Sequence, residues 1–497
     1  MHYHCRHRRW QFDVLNSSKY YFNQVFSLTS LVSSKFPLTL ALLLSYSLNT
    51  QALSATTTNI IQGSAPYLTF DGGRTKARTT EGLLSITLPD GRTFTPSTNI
   101  SNTKKPIVLP NATDTLANIG MFVPTSINSI GLERLIDAPY NYWGDDDGDG
   151  QEENGVTATG SISVSFMDRD NQIVDRNDTL DICRAPYKVV LSNTDGMFSS
   201  KYGVPNTNTF STKTTTYYIS PNIPPKICYA KPELKYGQNN LGTGSHAGPE
   251  NIWNPSKGFL VQSTLPTSYD RNFPTTGADG LFFDLVIGGA FDQLAWPTVT
   301  HGGITATMTP KANSNTIRVV LTGPTATEAE QQADNPSQIT KPTLPQTFEL
   351  VGYDISGREA LRYGFVLSKW FISRGNKNRT ISNQTNWCTS IGYRLIKVND
   401  VTNAICTNKG SGDTCQGAIG AKPSSSNNVY QRQIGAGLFS EWGKMTSYTN
   451  SGFVSKSKSN YWTSDVIGLR QFYVSSLFGS VYSNPSTYLQ YGLCTYP

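Results

Sequence analysis

The stretch Asn386-Trp387-Cys388-Thr389-Ser390-Ile391-Gly392-Tyr393-Arg394-Leu395 opens the last third of this 497-residue chain, and Tyr491-Gly492-Leu493-Cys494 closes it. Near the middle of that segment stands Tyr461-Trp462-Thr463-Ser464-Asp465. A cysteine near each end, with aromatic residues beside both, reads as a domain tied at its own termini. Working backwards, residues 323–346 carry Gly-Pro, a Gln/Glu patch, Asn335-Pro336 and Lys341-Pro342-Thr343-Leu344-Pro345. Such a run breaks regular structure and marks a linker. The terminal domain is therefore assigned to 347–497, and a second region to 56–322.

Both regions read as mainly β. Only 15% of residues are charged, while the chain holds 42 Gly and 25 Tyr. That composition favours short strands and turns over surface helices, which need Ala, Glu, Lys and Leu. Gly160-Ser161-Ile162-Ser163-Val164-Ser165-Phe166 alternates apolar and polar residues, as a half-buried strand requires. Further strands are expected at Leu83–Leu88, Lys188–Leu191, Thr214–Ile219, Leu281–Ile287, Ile304–Met308 and Thr316–Leu321. Residues 311–315 turn between the last two, and Pro89-Asp90-Gly91-Arg92 makes a hairpin with Thr93–Thr95. Residues 220–260, interrupted by Pro and Gly, read as long connections. Spacing of this kind suits a β-sandwich-like region of one or two units. In the terminal domain, strands are expected over Thr347–Tyr353, Tyr363–Phe371, Gln471–Val474 and Gly479–Ser483. A short helix within Asn383–Tyr393 would place Trp387 and Cys388.

The N-terminus reads as an export signal over 1–52 with an extended basic segment. Phe36-Pro37-Leu38-Thr39-Leu40-Ala41-Leu42-Leu43-Leu44 begins an apolar run too short to span a bilayer, and small residues follow at Ala52 and Ala55. An uncleaved anchor helix is the alternative. No later segment is long and apolar enough to cross a membrane, and no lipid-accepting cysteine follows the signal. The formal charge of +6 contains a net +4 within residues 1–52, so the remainder carries +2. A near-neutral chain lacks the clustered cations that nucleic acid requires.

Export gives the cysteines their meaning. Cys5 leaves with the signal, and an even set remains: Cys183, Cys228, Cys388, Cys406, Cys415 and Cys494. Many pairings are open to six cysteines. Placement within single domains suggests Cys183 with Cys228, Cys388 with Cys494, and Cys406 with Cys415. Zinc is disfavoured by the lack of any Cys-x-x-Cys and of histidines near these cysteines other than His246.

The sharpest local motif is Tyr142-Trp143-Gly144-Asp145-Asp146-Asp147-Gly148-Asp149-Gly150-Gln151-Glu152-Glu153. Asp145, Asp147 and Asp149 at alternate positions, followed by Gly150, match the first half of a calcium loop. The twelfth position is Val156 instead of the EF-hand glutamate, so a structural calcium would be completed by Glu153 or another carboxylate. A solvated acidic turn is the alternative. Enzyme signals are weak. His246 and His301 lack any known catalytic motif around them, and the last 196 residues contain no histidine. Amphipathic aromatics remain, and they suit recognition. Trp387, Trp442 and Trp462 read as core, whereas Tyr482 and Tyr488, flanking Asn484-Pro485-Ser486, are the candidates for ligand contact.

Trp387-Cys388-x5-Arg394-Leu395, Tyr461-Trp462-Thr463-Ser464 and the last-strand Cys494 together resemble bacterial C-type-lectin-like domains, including those that end intimin- and invasin-type adhesins. The fuller run is similar to bacterial surface proteins carrying an adhesion domain. It extends from Tyr142-Trp143-Gly144-Asp145 through Leu344-Pro345-Gln346-Thr347-Phe348-Glu349-Leu350-Val351 to Tyr491-Gly492-Leu493-Cys494. The resemblance covers roughly 110–497 and implies an α+β lectin-like terminal domain presented on a β-rich region. It also implies the cystine framework Cys388–Cys494 with Cys406–Cys415 inside it. Sugar-binding calcium motifs do not carry over, because Asn484-Pro485-Ser486 and Val398-Asn399-Asp400 stand where such lectins hold their ligands.

The resulting expectation is an exported surface adhesin that binds a glycan or protein on a host or neighbouring cell without turnover. A secreted carbohydrate-active enzyme using carboxylates in the 56–322 region is the rival, with a structural envelope module third.

Overall fold

The alternation read at 160–166 becomes the strand Ser161–Met167, with Ile162, Val164 and Phe166 buried and the serines between them turned outward. It sits in a five-stranded sheet ordered Ile107–Val108, Lys213–Ser220, Tyr187–Asn193, Ser161–Met167, Ser129–Gly131. Tyr187, Val189, Leu191, Tyr217 and Ile219 continue the buried face. Phe198 and Phe210, from a three-stranded sheet of Thr207–Phe210, Gly196–Ser200 and Val156–Thr159, join the same core. The structure is a computed structural model, and it describes residues 63–148, 155–239, 245–289, 294–312, 314–407, 412–454 and 459–497. The export signal at 1–52 and Cys5 lie outside the described residues. Among the described residues, no helix is long and apolar enough to cross a membrane.

A second, larger core begins at Ile227 and runs without interruption to Cys494. Its first layer is a seven-stranded antiparallel sheet ordered Trp253–Asn254, Gly258–Leu260, Lys226–Lys231, Phe282–Gly288, Thr316–Thr322, Ile304–Pro310, Val299–His301. The strands Ile304–Pro310 and Thr316–Thr322 pair antiparallel as expected, with Pro310 opposite Ile317. The long hairpin Gln346–Tyr353 and Glu359–Leu367 contributes Phe348 and Phe365, stacked at 5.2 Å, and Phe365 meets Phe283 of the sheet edge-on at 6.0 Å. Aromatic pairs in such geometry add to the burial that drives the packing. Within 323–346, Ile339 and Leu344 also pack on this core. The helix Glu328–Gln332 there begins with a capping box between Thr327 and Glu330.

Three local expectations differ from the structure. Residues 220–260 are not only connections, because Lys226–Lys231 pairs on both sides within the seven-stranded sheet. A bulge between Ile227 and Tyr229 breaks the alternation that would have marked it, and Pro224-Pro225 marks only its entry. The strand expected over Leu83–Leu88 is confined to Ile86–Thr87, since Thr79 caps a short helix Thr80–Leu83 just before it. Tyr363–Phe371 is not one strand. Ser368 turns aside to bond the Thr275 carbonyl through its amide at 2.8 Å and its hydroxyl at 3.0 Å. Glu359–Leu367 and Lys369–Ser373 therefore join different sheets.

Beyond Ser368 the terminal unit is α+β. A four-stranded sheet is ordered Thr276–Ala278, Lys369–Ser373, Leu493–Tyr496, Arg394–Leu395, and the helix Ile381–Ser390 buries Trp387 and Cys388. The outermost strand, Thr276–Ala278, comes from the preceding region and pairs in parallel with Lys369–Ser373. Three disulfides are formed. Cys388–Cys494 closes the terminal unit, Cys406–Cys415 lies within it, and Cys183–Cys228 joins the first core to the seven-stranded sheet, with Cα separations of 5.5, 5.4 and 5.7 Å.

Candidate interaction site

The terminal unit carries a second sheet of three strands, Asn460–Ile467, Arg470–Ser475 and Val481–Pro485. Alternation assigns its two faces. Phe472, Val474 and Val481 point into the core. On the other face Trp462, Tyr473 and Tyr482 stand side by side on neighbouring strands. Tyr473 and Tyr482 stack at 5.5 Å, and Trp462 meets Tyr473 edge-on at 5.8 Å. Gln471 and Asn484 are paired on the same face.

At one end of this sheet the hairpin turn Ile467-Gly468-Leu469-Arg470 lies beside the end of the third strand, because Arg470 pairs with Pro485. The following loop, 485–490, folds back so that the Tyr488 amide donates to the Pro485 carbonyl at 3.1 Å. Gln490 and Arg379 exchange backbone hydrogen bonds of 3.0 Å, which pin the loop's far end. Buried Gln384 donates to the carbonyls of Lys377 and Gln490 at 2.9 Å each. The surface so supported is apolar and open. Leu469 is 95% exposed, Val466 58%, Tyr488 54% and Leu489 52%. Ile419, 74% exposed, belongs to the neighbouring loop, and a Cβ on Gly417 would lie 3.0 Å from the Ile467 side chain. Arg470 crosses this end and donates its Nε to the Ser483 hydroxyl at 3.0 Å. Exposed apolar residues collected on one surface mark an interaction site more often than scattered ones do.

The terminal unit also holds buried polar networks away from this surface. Asp400, 1% exposed, accepts from Lys369 at 2.6 Å, from Arg394 at 2.6 and 3.1 Å, and from the Lys397 amide at 2.7 Å. Burial works to raise its pKa, but Arg394 and Lys369 together hold the carboxyl below the usual range. Glu441, fully buried on the helix Leu438–Trp442, accepts from the amides of Thr275, Thr276 and Gly435 and from both threonine hydroxyls. Burial nevertheless pushes this carboxyl up. His246 fills an aromatic box of Tyr236, Tyr430 and Phe478, with ring centroids 4.9–6.1 Å away. Burial and then the Arg432 charge push its imidazole down to about 4.

Of the two tyrosines expected to meet ligand, Tyr488 lies on the open loop, whereas Tyr482 is half-buried in the aromatic row. Tyr482 lies near the start of the strand Val481–Pro485, whose far end leads into the loop that carries Tyr488. Sequence reading passed over Val466, Leu469 and Ile419, although apolar residues at a Gly-centred turn, where polar residues belong, were a usable signal. Charge segregation is a second signal. Residues 369–497 hold 13 Lys or Arg against 4 Asp or Glu, net +9, which the near-neutral total conceals.

The acidic loop is seen in part. Asp146 pairs with Lys76 at 2.8 Å and Arg78 at 3.0 Å, and it accepts from the Tyr67 hydroxyl. Asp147 accepts from the Ser64 amide. Asp149 and Glu153 lie outside the described residues, and among the described residues no group of three His, Cys, Asp or Glu is arranged to hold a metal. Asp145 and Asp147 are the carboxylates of that set within the described residues, and two alone do not make a calcium site.

No family model matches the chain, and no curated protein matches it. Structural neighbours are adhesin fragments. Invasin, a bacterial integrin-binding protein, matches with 11% identity and a TM-score of 0.31 over 69% of this chain and 51% of its own, so the match spans about half of that molecule. A C-terminal intimin fragment, solved with the intimin-binding domain of the translocated intimin receptor, matches with 13% identity and a TM-score of 0.30, over 69% of this chain and 95% of its own. An intimin domain from enteropathogenic E. coli gives 13% identity and a TM-score of 0.25 over 45% and 90%.

Proposed function

We propose that this chain is an exported surface adhesin whose terminal unit binds a protein ligand, without turnover, through the tip formed by 466–470 and 485–490. The observation that carries the reading is that tip itself: Leu469, Val466, Tyr488 and Leu489 exposed together around Arg470 on a disulfide-tied scaffold. Protein interfaces concentrate their energy in aromatic and arginine anchors surrounded by apolar area, and Tyr488 and Arg470 supply such anchors. Three disulfides suit an oxidising, extracellular setting.

A second reading rests on the stacked Tyr473 and Tyr482 with Gln471 and Asn484 beside them, a combination of ring faces and amides that suits a sugar. One experiment separates the two. Oxidised full-length protein is applied to host or neighbouring cells treated with protease or with glycosidases, and binding is read by flow cytometry. For a protein ligand, protease and Leu469→Asp each reduce binding at least tenfold while Tyr482→Ala leaves it unchanged. Loss only with glycosidase and Tyr482→Ala establishes the sugar reading. Release of reducing sugar from the cells overturns adhesion without turnover.

A further inference from the structure

Where strand ends of the first core meet those of the seven-stranded sheet, the fold leaves a cavity of about 200 Å³. Thr103 and Lys104 line it from the turn before Ile107–Val108, and Arg169 lines it from the turn after Ser161–Met167. Ser220 brings the end of Lys213–Ser220, while Gly289 and Asn315 belong to strand ends of the seven-stranded sheet. The junction beside the cavity is tight. A Cβ on Gly288 would lie 2.7 Å from the Cys228 Sγ, and one on Gly289 would lie 3.0 Å from the Ile182 side chain. Small ligands bind preferentially at such meetings of two packed bodies.

The charge around this cavity is one-sided. Among the described residues no Asp or Glu lines it, and neither Lys104 nor Arg169 has an ion-pair partner. The carboxylates on either side of Arg169 are engaged by other cations, Asp168 with Arg184 at 3.0 Å and Asp170 with Lys257. Asp181 likewise pairs with Lys226, at 3.1 Å. The backbone under each free cation is fixed. The Lys104 amide donates to the Asn102 side-chain oxygen at 2.9 Å, and the Arg169 amide donates to the Arg184 carbonyl at 3.0 Å. Asn315 gives one hydrogen of its Nδ2 to the Gly289 carbonyl at 3.1 Å, which leaves a second to offer.

We infer that this cavity binds a sulfate or phosphate group, held by Lys104 and Arg169, with Asn315 and the Thr103 hydroxyl as neutral donors. A guanidinium matches two oxygens of such a group as a fork, and a lysine adds a point charge. Two cations without a carboxylate between them balance a doubly charged oxyanion, whereas a carboxylate ligand would leave one of them unpaired. A water occupies about 30 Å³, so the cavity has room for the free ion with a few waters or for the ion's group on one sugar ring. The site lies outside the tip at 466–470 and 485–490. Its failure would leave the adhesin reading untouched, and the reverse holds too.

The test is isothermal titration calorimetry of the oxidised full chain, with ionic strength held constant by sodium chloride. Sodium sulfate, sodium phosphate, galactose 6-sulfate, galactose and sodium acetate are titrated in turn. Sulfate or phosphate should fill one site per chain with a Kd of about 1 mM or tighter, and galactose should not bind. Lys104→Ala and Arg169→Ala, both at exposed positions, keep the wild-type circular dichroism spectrum and weaken binding at least tenfold. Lys105→Ala, a neighbouring cation that does not line the cavity, leaves binding unchanged. Tighter binding of galactose 6-sulfate than of sulfate identifies a sugar-borne group as the ligand, and equal or weaker binding identifies the free ion. Absence of saturable sulfate or phosphate binding overturns the proposal. So does binding that Lys104→Ala and Arg169→Ala leave intact, a loss that Lys105→Ala shares equally, or acetate binding as tight as that of sulfate.

Discussion

His246 makes stability depend on pH. Its ring is fully buried among Tyr236, Tyr430 and Phe478, its carbonyl accepts from the Arg432 amide at 2.9 Å, and its amide donates to Gln238 at 3.1 Å. It thus bolts the segment after Lys226–Lys231 to the terminal unit. Burial first, and the Arg432 charge second, lower the folded-state pKa to about 4 from 6.5. A base lowered on folding is protonated sooner in the unfolded chain. Its contribution is therefore complete above the unfolded value and is lost as pH falls towards the folded one. The cost is roughly 0.8 kcal/mol at about pH 6 and roughly 2.5 kcal/mol at about pH 4.5. Carboxylates also titrate in this range, so the decisive quantity is a difference. Urea denaturation followed by tryptophan fluorescence is carried out on wild type and His246→Phe, whose ring suits the aromatic box and does not titrate. The gap between the two unfolding free energies should shift by roughly 2.5 kcal/mol in favour of the variant between about pH 7.5 and 4.5. Parallel curves would refute the reasoning.

Four further outcomes follow from the same packing. Asp400→Ala leaves Lys369 and Arg394 facing an empty carboxylate site and should cost about 3 kcal/mol at neutral pH by urea denaturation. Because folding lowers the Asp400 pKa, that contribution is present above the ordinary carboxylate range and lost only as pH falls through the depressed folded value. Glu441→Gln turns an amide towards donors from Thr275, Thr276 and Gly435, and it should cost about 2 kcal/mol, read as a lowered melting temperature. Replacing Cys388 and Cys494 by serine releases a cross-link across 106 residues and should cost about 4–5 kcal/mol in the chain-entropy account, checked by denaturation. Gly364→Ala would put a Cβ 2.1 Å from the Tyr269 ring, and overpacking there should cost about 1–3 kcal/mol in the same assay.

Much of the strand content was legible because period-two burial is written locally. Ser161–Met167, Thr316–Thr322 and Gln346–Tyr353 each show it within a few residues. Lys226–Lys231 was not, because a bulge interrupts the period and the partners that make it a strand lie at 258–260 and 282–288. Of the tip, only Tyr488 was named from sequence. Val466 and Leu469 carry a local signal at their Gly-centred turn, but their joining with the 485–490 loop depends on the pairing of Arg470 with Pro485, which no local pattern states.

Sequence by itself determined the mainly β character, the even set of cysteines, and the segregation of charge once it is counted by segment. These are properties of composition and short-range order. Tertiary structure decided the rest: that Thr276–Ala278 completes the terminal sheet, that the long hairpin covers the seven-stranded one, and that residues from 419 to 489 meet at one tip. Each of those results joins residues far apart in the chain. Their pairing follows from the packing of whole faces against one another, and that is information no window of neighbouring residues contains.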